Sequence, residues 1–162
     1  PATTPAPAPT RGLILDALAS GARAEVDAAL ASYPQQLKRI LARVPIPVTV
    51  DAEGACSPAS CVEGYPRRSL RLSLAPEHMG DTRVQRHVQA HEQGHVVGIP
   101  FQGGCVRRTD VFADNVAFWA TGDLEIRSDY NVPPLVSRAE MSSFLARWWR
   151  PAGPAAGRVR TR

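Results

Sequence analysis

An α+β domain is the fold class this sequence predicts, and three observations predict it. Residues 69–74 (Ser-Leu-Arg-Leu-Ser-Leu) alternate polar and apolar side chains, the period of a half-buried strand. Stretches at 13–32, 82–98 and 137–149 instead repeat their apolar side chains every three to four positions, the period of an amphipathic helix. The two kinds of element are segregated along the chain and do not alternate as βαβ units.

Taken in order, residues 1–11 are rich in Pro, Ala and Thr, bury little apolar surface and read as an extended linker or stalk. A helix is expected from Leu13 to about Ser32 through Ile14, Leu18, Ala22, Val26 and Leu30. Pro34 can open a second, short helix that runs to Leu41, and Pro45 and Pro47 force its end. Val48, Thr49 and Val50 read as a strand. After the strand at 69–74, Asp81 or Thr82 can cap a helix carrying Val84, Val88, His91 and His95, stopped by Gly98 and Pro100. Another helix spans 110–121 before Gly122. In the last one, Ser137 is the N-cap and Glu140 completes a capping box ahead of a run to Trp149. Adjacent helical residues point about 100° apart, so of Trp148 and Trp149 one should pack in the core and the other sit at its rim. A single domain over 12–150 and a disordered basic tail over 151–162 complete the reading.

Length and composition narrow the function. With 162 residues, 44% of them hydrophobic, the chain can build one real core. Its net charge is +4, carried almost wholly by arginine, since Lys38 is the only lysine. The arginines are scattered apart from two pairs and the tail, without an aromatic-interleaved patch, so a nucleic-acid partner is not expected. No apolar run reaches membrane-spanning length. Three cysteines leave the pairing open: Cys56 and Cys61 can close a small loop in an oxidising compartment, and a bridge from either to Cys105 is as admissible. A secreted or cell-envelope location is expected, with any targeting segment lying outside this chain.

The chemistry is concentrated in His91-Glu92-Gln93-Gly94-His95, an H-E-x-x-H sequence on a helix. Histidines four residues apart share one helical face and can reach one metal ion, while Glu92 is rotated toward what that metal would hold. That is the donor set of a zinc hydrolase, with Glu92 as general base for an attacking water. A catalytic zinc usually takes three protein ligands. His87 is eight residues from His95, about 12 Å along the axis, too far to share an ion with it, and belongs to the surroundings of the site. Asp114 is the expected third ligand because apolar residues flank it, so its charge needs a partner inside. Asp110, four residues earlier on the same face, competes for that role or orients a ligating histidine. Read without a metal, the two aspartates are an N-cap and a first-turn residue favoured by the helix dipole.

The strand SLRLSL, the helix VQAHEQGHVVG and the helix FADNVAFWATG together resemble small secreted bacterial zincin-type metallopeptidases, over roughly residues 69–149. Those proteins carry an HELGH helix and then a DFAEAFA helix, and Asp114 stands where the family has an acidic ligand. The next ligand of the related metzincin pattern would fall at Phe101, which cannot bind metal. The resemblance implies a zincin-like α+β fold, a Zn²⁺ cofactor on His91, His95 and Asp114, and a peptide or protein substrate. It also implies that the strand at 69–74 offers an edge for an extended peptide. Tyr130, in Ser-Asp-Tyr-Asn-Val-Pro-Pro, is the candidate donor to the developing oxyanion. A zincin-like binding module without catalysis and a hydrolase of cell-wall amides are the alternative functions.

Overall fold

The computed structural model describes residues 13–14, 20–44, 46–50, 56, 59–63, 70–99, 106–126 and 136–149. These form a small mixed sheet packed by helices, an α+β architecture. The strands are β1 (Leu13–Ile14), β2 (Ile46–Val50), β3 (Cys61–Glu63) and β4 (Arg71–Leu74), in spatial order β1-β2-β4-β3. The helices are α1 (Ser20–Ser32), α2 (Gln35–Leu41), α3 (Thr82–Gly98), α4 (Val106–Thr121) and α5 (Arg138–Trp148).

β1 and β4 both run parallel to β2, and β3 is antiparallel to β4, with Val62 opposite Leu72. β4 is therefore flanked on both sides, which overturns the expectation that residues 69–74 offer an open edge; the outer strand is β3. A second departure is at the start of the chain. Leu13 and Ile14 pair with Ile46 and Pro47 instead of opening the first helix. Two apolar residues fit either period, and parallel pairing with β2 wins. The path β1-α1-α2-β2 is consequently a crossover between parallel strands, so helices and strands are not wholly segregated.

Local chemistry explains the other boundaries. Asp81 caps α3 by accepting from the backbone N–H groups of Arg83 and Val84. Gly98 lies within the last turn of α3 and Ile99 follows in helical conformation. The stop there is not the left-handed glycine kind, which instead ends α4 at Gly122, φ 73°. α5 has the predicted capping box: Glu140 N–H donates to Ser137 Oγ, and Glu140 Oε2 accepts from Ser137 N–H. Pro34 precedes α2 as expected.

One apolar core joins these elements: Val26 and Leu30 of α1, Leu37 and Leu41 of α2, Val48, Leu72 and Leu74 of the sheet, Val97 of α3, Val116 of α4 and Leu145 of α5. Trp149 packs into it, its indole N–H donating to Val97 O, while Trp148 is 55% exposed. Set within the core is a polar row on α3, Gln85, Gln89 and Gln93, each at most 1% exposed. Gln85 donates to Gln89, which donates to Val26 O of α1. The carboxamide of Gln93 has no hydrogen-bond partner. Cys56 and Cys61 form a disulfide that fixes the start of β3; Cys105 lies outside the described residues. No helix among those described is long and apolar enough to cross a membrane.

Candidate metal centre

α3 and α4 build the site by approaching unusually closely. Gly94 makes this approach possible: a Cβ there would stand 2.7 Å from Ala113 Cα and 3.0 Å from Ala113 O. The contact brings the carboxylates of α4 onto the histidines of α3. Each helix contributes residues four apart, which share a face, so Asp110 and Asp114 stand opposite His95 and His91.

The distances separate the two aspartates. Asp114 Oδ1 lies 2.7 Å from Nδ1 of His91. Asp110 Oδ1 lies 3.5 Å from Nε2 of His95, and Glu92 Oε2 lies 4.0 Å from the same nitrogen. The two imidazoles meet edge to face with centroids 4.9 Å apart. His91, Glu92 and His95 each bring one ligand-type atom within 4.8 Å of the others, a group that can hold a metal ion. His91, Glu92, Asp110 and Asp114 are buried and His95 nearly so.

Electrostatics shows a site short of positive charge. Burial pushes Glu92 up to about 7, and the charges of Asp110 and Asp114 push the same way, against His91 and a hydrogen bond from the backbone of Val62. Asp110 is raised too, first by burial and then by Asp114. Burial and the neighbouring His91 hold His95 down to about 4, so its imidazole is neutral, the form that binds metal. For His91, burial opposes the charge, but the Asp114 hydrogen bond and the Glu92 and Asp110 carboxylates outweigh it and the net shift is upward. Clustered carboxylates that cannot easily ionise are what a divalent cation relieves.

These residues fit a metal ion, and the spacing can be compared with a zinc shell. Bonds of about 2.0–2.1 Å in a tetrahedral shell put neighbouring ligand atoms about 3.4 Å apart, and His95 Nε2 and Asp110 Oδ1 already have nearly that separation. An Nδ1–H donated to Asp114 fixes the tautomer of His91 with Nε2 as the lone-pair nitrogen.

Comparison with known protein families, characterised proteins and solved structures gives no match for this chain.

Other residues singled out from the sequence fall as follows. His87 is buried one turn before His91, its Nδ1 3.4 Å from Thr121 Oγ1, and outside the metal-type cluster. Tyr130 lies outside the described residues, as does Phe101. The sequence reading did not find the backbone of Val62, which bonds Glu92 from β3. Its one sequence signal was Cys61 next door, since a disulfide there pins the strand.

Proposed function

We propose that this chain is a zinc-dependent peptidase of the zincin kind, in which His91, His95 and Asp110 hold the metal and Glu92 is the general base. The observation that carries the reading is the 3.5 Å separation of His95 Nε2 and Asp110 Oδ1, beside a second histidine and a buried glutamate. The roles of the two aspartates follow from which imidazole nitrogen each one faces. Asp110 looks at the metal-binding nitrogen of His95. Asp114 bonds the far nitrogen of His91 and orients that ring, a contact typically worth 10–100-fold in metal affinity.

Zinc, when bound, would act as a Lewis acid and make water nucleophilic near neutral pH. Glu92, raised to about 7 by burial, is matched to taking a proton from the attacking water and returning it to the leaving nitrogen. The backbone of Val62 on β3 meets that carboxylate and favours its charged form against the push of burial. An extended peptide lying beside β3 would then run past Glu92. The Cys56–Cys61 bridge supports an oxidising location, secreted or in the cell envelope.

The test is zinc content and hydrolysis together. Wild type should hold about one zinc per chain and cleave an unfolded protein substrate, with both lost on chelation. Asp110→Ala and His95→Ala should lose the metal, Asp114→Asn should hold it more weakly, and Glu92→Gln should hold it without turnover. Zinc retained in Asp110→Ala and lost in Asp114→Ala would return the ligand role to Asp114. A metal-loaded protein inactive on both peptide and cell-wall amide substrates would be a binding module.

A further inference from the structure

A cleft of about 510 Å³ opens between α1 and α2 and shares no residue with the metal centre. Its size is that of a small-molecule site. The two helices meet at a corner of two residues, Tyr33 and Pro34. Pro34 restricts the backbone there, and the buried Tyr33 phenol donates to Arg86 O of α3. The walls of the cleft are therefore held in place by the fold.

Each helix lines the cleft with residues three and four apart, the spacing of one helical face. α1 contributes Asp27, Leu30 and Ala31, and α2 contributes Gln35, Lys38 and Arg39. The charges are sorted by wall, an aspartate on α1 against a lysine and an arginine on α2. Leu30 and Ala31 supply apolar surface. Lys38, the only lysine of the chain, reaches across to α1 and donates to Ala31 O at 3.0 Å. An ammonium has three donors, so it can hold that carbonyl and a ligand anion together. Gln35 adds a carboxamide, which gives and accepts hydrogen bonds as a peptide group does.

We propose that this cleft binds a short peptide by its free ends, the carboxylate on Lys38 and Arg39 and the ammonium toward Asp27. The inference goes beyond the peptidase reading and stands or falls without it. Opposite charges on the two walls single out a zwitterion. A fatty carboxylate would meet Asp27 with no cation of its own, and a phosphate would bring a second negative charge beside it. Small side chains suit the Leu30–Ala31 surface, and three extended residues span about 10 Å.

The test is an NMR titration of the isotope-labelled full chain with trialanine, up to roughly 20 mM because so small a ligand reaches about millimolar affinity. The peptide's own proton signals check that it stays intact. Saturating amide shifts centred on residues 27–31 and 35–39 are expected. Trialanine amide, without the carboxylate, and acetyl-trialanine, without the ammonium, should each bind at least about fivefold more weakly. Changing Lys38 and Arg39 together to Gln should weaken trialanine binding by about tenfold. Arg39→Gln alone, at an exposed position, leaves the Lys38–Ala31 contact in place and should weaken it by about threefold. Asp27→Asn should remove the preference for trialanine over acetyl-trialanine. An absence of shifts in α1 and α2 overturns the proposal, as do shifts confined to α3 and α4, which would put the peptide at the metal centre. Octanoate binding as tightly as trialanine, or trialanine amide binding equally, also overturns it.

Discussion

Replacing Gly94 by alanine tests the contact on which the whole centre depends. A new Cβ would lie 2.7 Å from Ala113 Cα and 3.1 Å from Val116 Cβ, where carbon atoms prefer about 3.5–4.0 Å. Because the nearest atoms are backbone, no side chain can swing aside, and α4 must retreat by roughly 0.8 Å. Overpacking of this kind costs about 1–3 kcal/mol. Glycine to alanine inside a helix returns about 1 kcal/mol of propensity. The net expectation is destabilisation of up to about 2 kcal/mol, a fall in Tm of up to about 4–8 °C for a chain of this size. Retreat of α4 also draws Asp110 from His95 and Asp114 from His91, so zinc affinity should fall by about tenfold or more. Gly21→Ala is the control, since nothing lies within 4 Å of its added carbon; it should stabilise slightly. Thermal melts followed by circular dichroism and zinc competition with a chelator read both effects. If Gly94→Ala melts at or above wild type with unchanged zinc affinity, the helices do not touch as described and the explanation of the site fails.

Three further perturbations test the buried amide, the buried glutamate and the disulfide. Gln93→Met removes a carboxamide buried without a partner and should raise stability by about 1–3 kcal/mol; a destabilised variant in urea melts would mean that a bound water satisfies it. In chelator-treated protein, Glu92 titrates at about 7 against 4.5 when unfolded, so the native state binds more protons over that window and loses stability as pH rises through it. Glu92→Gln should therefore melt with wild type below pH 4.5 and exceed it above pH 7, by up to roughly 3 kcal/mol; a constant offset at every pH would contradict the buried-carboxylate reading. Changing Cys56 and Cys61 to serine opens a loop of sequence separation 5 and should cost about 2 kcal/mol, with slower turnover because β3 carries the Val62 backbone that favours the charged Glu92; full activity in the double variant would detach the strand from the base.

What the sequence made legible is what local chemistry decides alone. The capping box at Ser137 and Glu140, the Asp81 cap and the HExxH helix need only neighbours within a turn, and each is found where its pattern stood. β3 was not legible, because three half-buried residues have too little periodicity and exist as a strand through their pairing with β4. Leu13 and Ile14 were misread for a related reason: their apolar character fitted the helical repeat, and only the distant β2 makes them a strand. In the site, spacing alone placed Asp110 and Asp114 on one face of a helix. It could not say which of them would meet Nδ1 of one histidine and which Nε2 of the other, because that depends on how α4 slides along α3. The slide is set by Gly94 against Ala113, a contact between backbones that no motif encodes.

The hydrogen bond from the Val62 backbone to Glu92 has a consequence for how this protein can be inactivated, by an experimenter or by drift. The same carboxylate that would move the proton also satisfies an amide of the outer strand, so chemistry and architecture share one side chain. Glutamine keeps an acceptor oxygen for Val62 and silences only the base. Alanine silences the base and strands the backbone polar group of Val62 that the carboxylate had met, loosening β3. A dead copy of this domain would thus be expected to carry glutamine at position 92 more readily than any smaller residue.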